Sequence, residues 1–383
     1  MFARIARKVL EALASPESTT DDRPSNRVRL AFDRLEDRCT PAMFTVNTPD
    51  DIPDANPGDG EAGVIVIENR TKFLLTSLRS AIEEGNTLAA MGKDSDHTIN
   101  FDTKKIGGNT ISVSKGAYET LKANFTINGG GVTVERPVGA AQYRIFDVEA
   151  KREVSINELG ITGGDTPGSG GGIRSDGELS LDSCFIYSNT AAVRGGGVAA
   201  ENGKLTISYS SLWLNQGKFG GGIYTATSVS DFAIVSSAVF SNSASSVGGG
   251  IMFASAANSI HDTQIYGNTS VDFAGGFYAL RSFIFSGGEV RGNIAGGCGG
   301  GAYILTAAAA VSTWTGCKVD NNEAGQKGGG FYVSGGKLEF TDPASFTGNK
   351  AAQGFDGGAY SPPLGDVTSK GLPVGSQKIW ADQ

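Results

Sequence analysis

The chain has 383 residues, a net charge of −8, and 56 glycines against 12 prolines. The glycine share is about twice the usual one, and so little proline argues against a Pro-rich disordered chain. No basic run is long enough to make nucleic acid the main partner, and two histidines, His97 and His261, leave little for a His-based metal site or a Ser–His nucleophile.

In chain order, residues 1–42 read as a flexible leader, rich in arginine and free of any repeat, in which Ile5, Val9 and Leu13 recur every four residues. Residues 43–96 read as a linker and a capping helix. Asn47–Gly63 is rich in Asp, Pro, Asn and Gly and reads as a loop. Thr76–Glu84 reads as a short helix with Leu78, Ala81 and Ile82 on one face, ending at Gly85-Asn86. From His97 the apolar period becomes two, as in Ile99/Phe101, Ile111/Val113 and Phe125/Ile127, the mark of short strands. Nowhere does an apolar run of about 20 residues predict a transmembrane segment.

Residues 97–360 read as one repeat domain, irregular over 97–160 and regular over 161–360, followed by a tail at 361–383. A glycine run followed by an apolar residue recurs at Ile173, Val198, Ile223, Ile251, Phe277, Ala302, Phe331 and Ala359, in steps of 25 to 29 residues. Between these marks runs an apolar residue followed three positions later by Asn: Ile186–Asn189, Leu212–Asn215, Val239–Asn242, Ile265–Asn268, Val290–Asn293, Val319–Asn322 and Phe346–Asn349. A period of this length marks a repeat architecture. Three short strands fit each repeat and no helix fits between them, so each strand must pair in parallel with its copy one turn later. The predicted fold is an all-β, right-handed, three-sided parallel β-helix, a pectin-lyase-like solenoid, roughly 45–50 Å long at about 4.8 Å per rung. Its glycines supply positive φ at the corners, and its Asn side chains form a hydrogen-bonded ladder. Cys184 and Cys317 share one column of small residues, five rungs or roughly 24 Å apart, too far to bridge. They read as buried packers.

Three features carry a resemblance. The Gly-Gly-Gly-Ile and apolar-x-x-Asn pair resembles the repeats of the chlamydial polymorphic outer membrane proteins and their bacterial β-helix relatives. Thr76-Ser77-Leu78-Arg79-Ser80-Ala81-Ile82 is similar to the Ser-Leu-Arg-Glu-Ala-Ile segment that precedes such helices in secreted bacterial proteins, with Thr76 for the usual Cys and Ser80 for the usual Glu. Arg34-Leu35-Glu36-Asp37-Arg38-Cys39-Thr40-Pro41-Ala42 looks like the leader of planctomycete surface and secreted proteins. Together they imply export to the cell surface, outer membrane or medium. None carries a catalytic residue.

The residue after each glycine-strand apolar position reads Arg174, Ala199, Tyr224, Met252, Tyr278, Tyr303, Tyr332 and Tyr360, and by alternation this column points outward. It reads either as cross-rung stacking or as an adhesive, glycan-binding strip. Glycan cleavage is the rival function, since it needs converging carboxylates. Asp176 and Glu201 are the only vertical acid pair in that column's register. The expectation is therefore a non-catalytic, surface-associated or secreted scaffold of adhesin type, with glycan or cell-envelope material as partner. It needs no cofactor and no metal; a polysaccharide lyase or glycoside hydrolase on the same fold is the alternative.

Overall fold

The computed structural model describes residues 41–93, 96–341 and 345–352, and beyond these the strand backbone of 359–361, 365–369 and 380–381. Of the leader expected over 1–42, only 41 and 42 fall among the described residues. The described residues form an all-β parallel solenoid with three sheets, of 21, 10 and 8 strands, together with a separate two-stranded hairpin. The largest sheet holds two successive ladders per turn. Ladder I is built from the strands after the glycines, such as Ile173–Ser175, Val198–Ala200 and Ile223–Thr225. Ladder II follows with Glu178–Asp182, Gly203–Ser208 and Val229–Val235. The two become one sheet because Phe331–Phe340 serves both as a single strand. Ladder III carries the apolar-x-x-Asn strands, and the short ladder IV precedes the next glycines.

Alternation drives the coiling. Ile173, Val198, Ile223, Ile251, Phe277, Ala302 and Phe331 are register partners in turn and fully buried. The inward columns of ladders II and III complete one continuous core, in which Phe277 and Phe285 stack on Trp314 of the next turn and Phe331 meets Trp314 edge-on. Strand pairing extends on both sides of 97–360: Ala42–Val46 pairs with Asp96–Phe101, and Gly365–Ser369 with the end of Phe331–Phe340.

The glycines and asparagines form one corner. Asn189, Asn215, Asn242, Asn268, Asn293, Asn322 and Asn349 lie in a buried column. Each Nδ2 from Asn189 to Asn322 donates to the Oδ1 of the next Asn at 2.9–3.0 Å, and that same Oδ1 accepts the backbone N–H of the donor residue. The second Nδ2 hydrogen goes to a carbonyl one rung back, such as Ile186 for Asn215 and Leu212 for Asn242. The third glycine of each run faces this amide. A Cβ at Gly222 would stand 3.2 Å from the Asn242 amide and 2.8 Å from the Gly250 carbonyl oxygen.

Positive φ is less a glycine property than the sequence suggests. The first glycine of each run takes it, yet Ala274 holds the same place with φ 59°. At the turns after ladders II and III the left-handed residue is often not glycine: Ser183, Tyr209, Ser236 and Asp262 after ladder II, and Ser188, Leu214 and Ser241, each just before its Asn, after ladder III. Each such residue costs about 1–2 kcal/mol in this conformation, which the ladder hydrogen bonds on either side offset.

Helix α1 (Leu78–Ala90) packs over the start of the core with Leu78, Ala81, Ile82 and Leu88 buried. Its N-cap is Ser77, and Ser80 takes the reciprocal place in a capping box, so the departure from the usual Glu costs no cap. The helix runs through Gly85-Asn86 rather than stopping there. Gly85 is the closest approach, since a Cβ would lie 2.7 Å from the Phe125 ring and 3.0 Å from His97. Asn86 fastens the helix to the next turn through the Thr120 carbonyl and the Lys122 amide, at 2.9 and 2.8 Å. Arg79 binds Asp51 through Nε and Nη2 (2.7 and 3.0 Å) and donates to the carbonyls of Gly116 and Ala117, tying linker, helix and coil together.

Candidate functional site

The tyrosine column is real in register: Arg174, Ala199, Tyr224, Met252, Tyr278, Tyr303, Tyr332 and Tyr360 pair in succession. The side chain of Tyr360 lies outside the described residues. The column faces away from the core but is not fully open, because the chain just before each glycine run rises beside it. Phe219 packs with Met252 against a small cluster of Ala199, Tyr224 and Ala226, and Phe273 lies 5.1 Å from Tyr303. The Arg194 guanidinium sits 5.0 Å over the Tyr224 ring. The result is a partly covered strip along the axis: Tyr278, Tyr303 and Tyr332 are half-buried, while Tyr224, expected to face outward, is buried at 8% exposure beneath Phe219 and Arg194.

Tyr278, Tyr303 and Tyr332 stack at 5.0 and 4.9 Å between centroids. Their faces are therefore turned to one another, and what they offer a ligand is ring edges and hydroxyls. Burial, then the neighbouring Tyr303, pushes the Tyr278 phenol up to about 12, so it stays a neutral donor and acceptor at physiological pH.

The two candidate carboxylates are engaged elsewhere. Asp176 pairs with Arg174 and accepts from Asn202 Nδ2 at 3.2 Å, and Arg174 also holds Asp147 at 3.1 Å. Glu201 pairs with Arg194 at 3.3 Å. The arginines of these turns thus alternate with the acids as a surface network. Among the described residues no three His, Cys, Asp or Glu side chains gather as a metal site would require. Of the cysteines, Cys184, Cys298 and Cys317 are free and buried, and burial pushes the Cys184 and Cys317 thiols up to about 11 and about 12.

A second aromatic column runs along the outer face of ladder III. Tyr187, Trp213, Phe240 and Tyr266 stack at 4.5, 5.7 and 4.8 Å with planes within 7° of parallel. Arg291 ends the stack 4.3 Å over Tyr266, and Phe185 packs edge-on against Trp213. The signal was in the sequence: an aromatic follows the apolar residue in four successive apolar-x-x-Asn motifs, at Tyr187, Trp213, Phe240 and Tyr266.

Among the described residues no helix is long and apolar enough to cross a membrane. In comparisons with protein-family models, curated proteins and solved structures, nothing matches the chain.

Proposed function

We propose that this chain is a non-catalytic, exported or surface-associated scaffold that holds extended glycan or other cell-envelope polymer along the tyrosine column. The observation that carries the reading is the stacked run itself: Tyr278, Tyr303 and Tyr332 follow one another rung by rung, about 4.8 Å apart, half-buried on a face flanked by Phe273. Each of these three rungs offers only ring edges and a hydroxyl, so each contact is weak, and affinity comes from several in line on one support. The resemblance to polymorphic outer membrane protein repeats and to planctomycete leaders supports the location. The glycan-cleaving alternative draws no support from Asp176 and Glu201, whose carboxylates are bound by Arg174 and Arg194.

The test replaces Tyr278, Tyr303 and Tyr332 together by Ser, then measures melting and retention on purified cell-wall glycan. The reading requires retention to fall while the fold persists. Lost stability with unchanged retention assigns the column to cross-rung stacking alone, worth roughly 0.2–1 kcal/mol per pair. Fractionation tests location separately, and recovery in the cytoplasm overturns it.

A further inference from the structure

The links from ladder I to ladder II vary in length, and the variation builds a cavity. Counted between register partners, Phe253 to Ile260 spans seven positions and Ala279 to Phe285 six. The flanking turns take nine, Thr225 to Ile234, and ten, Ile304 to Trp314. Two short turns lie between two long ones, and the outer face sinks into a saddle. The saddle holds about 380 Å³, lined by Asp231 on one rim, Val311 on the other, and Ala256, Ala257, Ser259, Ser282 and Ile284 between. The volume lies within the range of small-ligand sites. Three rung steps, about 14 Å, separate the rims.

The wall beneath is rigid. Asn258 stands where neighbouring turns bury an apolar residue, and its Nδ2 donates to the carbonyls of Ser255 and Ser282, both at 2.9 Å. Its Oδ1 accepts from Ser255 Oγ, whose oxygen is also 2.9 Å from Thr225 Oγ1. These groups are spent on holding the short turns. What faces outward is different. Asp231 is exposed and forms no ion pair among the described residues, the nearest lysine in its column, Lys204, being turned to Glu178 at 3.8 Å. The Ser259 and Ser282 hydroxyls have no partner among the described residues, and Ile284 and Val311 present apolar surface at 57% and 40% exposure. Arg281 does not line the saddle.

We infer that the saddle is a binding site for a short, non-anionic oligosaccharide. A carboxylate accepts paired sugar hydroxyls through strong charge-assisted hydrogen bonds; serine hydroxyls complement the rest, and Ile284 and Val311 cover the apolar face of a pyranose ring. The same carboxylate rejects a uronic acid or a sulfated sugar by like charge. This site lies on ladder II, apart from the tyrosine column on ladder I, and does not depend on that column's role.

The test titrates the purified protein with chitotriose, which is neutral, and with trigalacturonate, which is anionic, by calorimetry or ligand-observed NMR. Wild type binds chitotriose at least tenfold more tightly than trigalacturonate. Asp231→Asn weakens chitotriose roughly tenfold and narrows the discrimination. Ala257→Phe, at an exposed strand position that tolerates an aromatic, fills the saddle and abolishes binding with melting unchanged. The triple tyrosine variant keeps wild-type affinity. No binding of chitotriose, equal binding of the two probes, or binding untouched by Ala257→Phe overturns the assignment.

Discussion

Asn242→Ala removes one link from the middle of the amide ladder. In the wild type, Asn242 Oδ1 accepts from the Asn215 backbone N–H and from Asn215 Nδ2, each at 3.0 Å. Its Nδ2 donates to the Leu212 carbonyl and to Asn268 Oδ1, at 2.9 and 3.0 Å. Truncation leaves two donors of Asn215 without acceptors at a position with no solvent exposure. At about 1–3 kcal/mol for each buried unsatisfied group, the loss is about 2–6 kcal/mol. Asn242→Asp keeps the shape but sets an acceptor against the Leu212 carbonyl and against Asn268 Oδ1. Burial raises the folded pKa of the new carboxyl above its unfolded value. Its penalty therefore relaxes as pH falls through that raised pKa and returns in full as pH rises beyond it. Guanidinium unfolding at pH 8 and at pH 4, with hydrogen exchange to locate the damage, reads both effects. Because a solenoid couples mainly nearest turns, protection should fall first between Leu212 and Asn268. A loss under about 1 kcal/mol for Asn242→Ala, or no acid rescue of Asn242→Asp, refutes the claim that the ladder is a satisfied buried network.

The cap, the corners and the thiols give further tests. Arg79→Ala leaves Asp51 buried beside only the Lys115 amide, and loss of a buried ion-pair partner costs about 3–5 kcal/mol; melting followed by exchange at Leu78–Ala90 should show the helix released first. Leu214→Asn keeps a half-exposed side chain at φ 55° but replaces a residue that resists this conformation, so the unfolding free energy should rise by about 0.5–1 kcal/mol; a fall shows that Leu214 packs more than it strains. In a Cys39→Ser background at pH 8, Cys184 and Cys317 should resist maleimide until the chain is unfolded, since burial holds both thiols protonated. Labelling of either within minutes under native conditions contradicts their place in the core.

The period, the parallel ladders and the Asn column were readable because each leaves one residue type at one phase, as Ile223 and Ile251 or Asn215 and Asn242 do. The tyrosine register was readable by the same alternation, but its depth was not: that depends on Phe219 and Phe273, which belong to a corner with no fixed residue type. The ladder III aromatics leave a weaker signature, because their column turns from Tyr266 to Arg291 and Asp320 and so is not aromatic through the whole repeat. Gly85-Asn86 reads as a helix end by local preference, yet tertiary contact overrides it: Gly85 is there for Phe125, and Asn86 for Thr120 and Lys122. The saddle is invisible to pattern, because it arises from differences in link length between turns.

Pulsed electron–electron resonance on nitroxide pairs in one outward column of ladder II tests the coil most directly. Thr126, Ser155, Ser180, Thr206, Ala233, Ser259, Ile284 and Thr313 occupy that column in unbroken register. With one label on Thr126, backbone separations should grow by about 4.8 Å per rung, reaching about 24 Å at Ser259 and about 34 Å at Thr313. Distances that fail to rise in step with rung number would show that the turns do not lie one upon another.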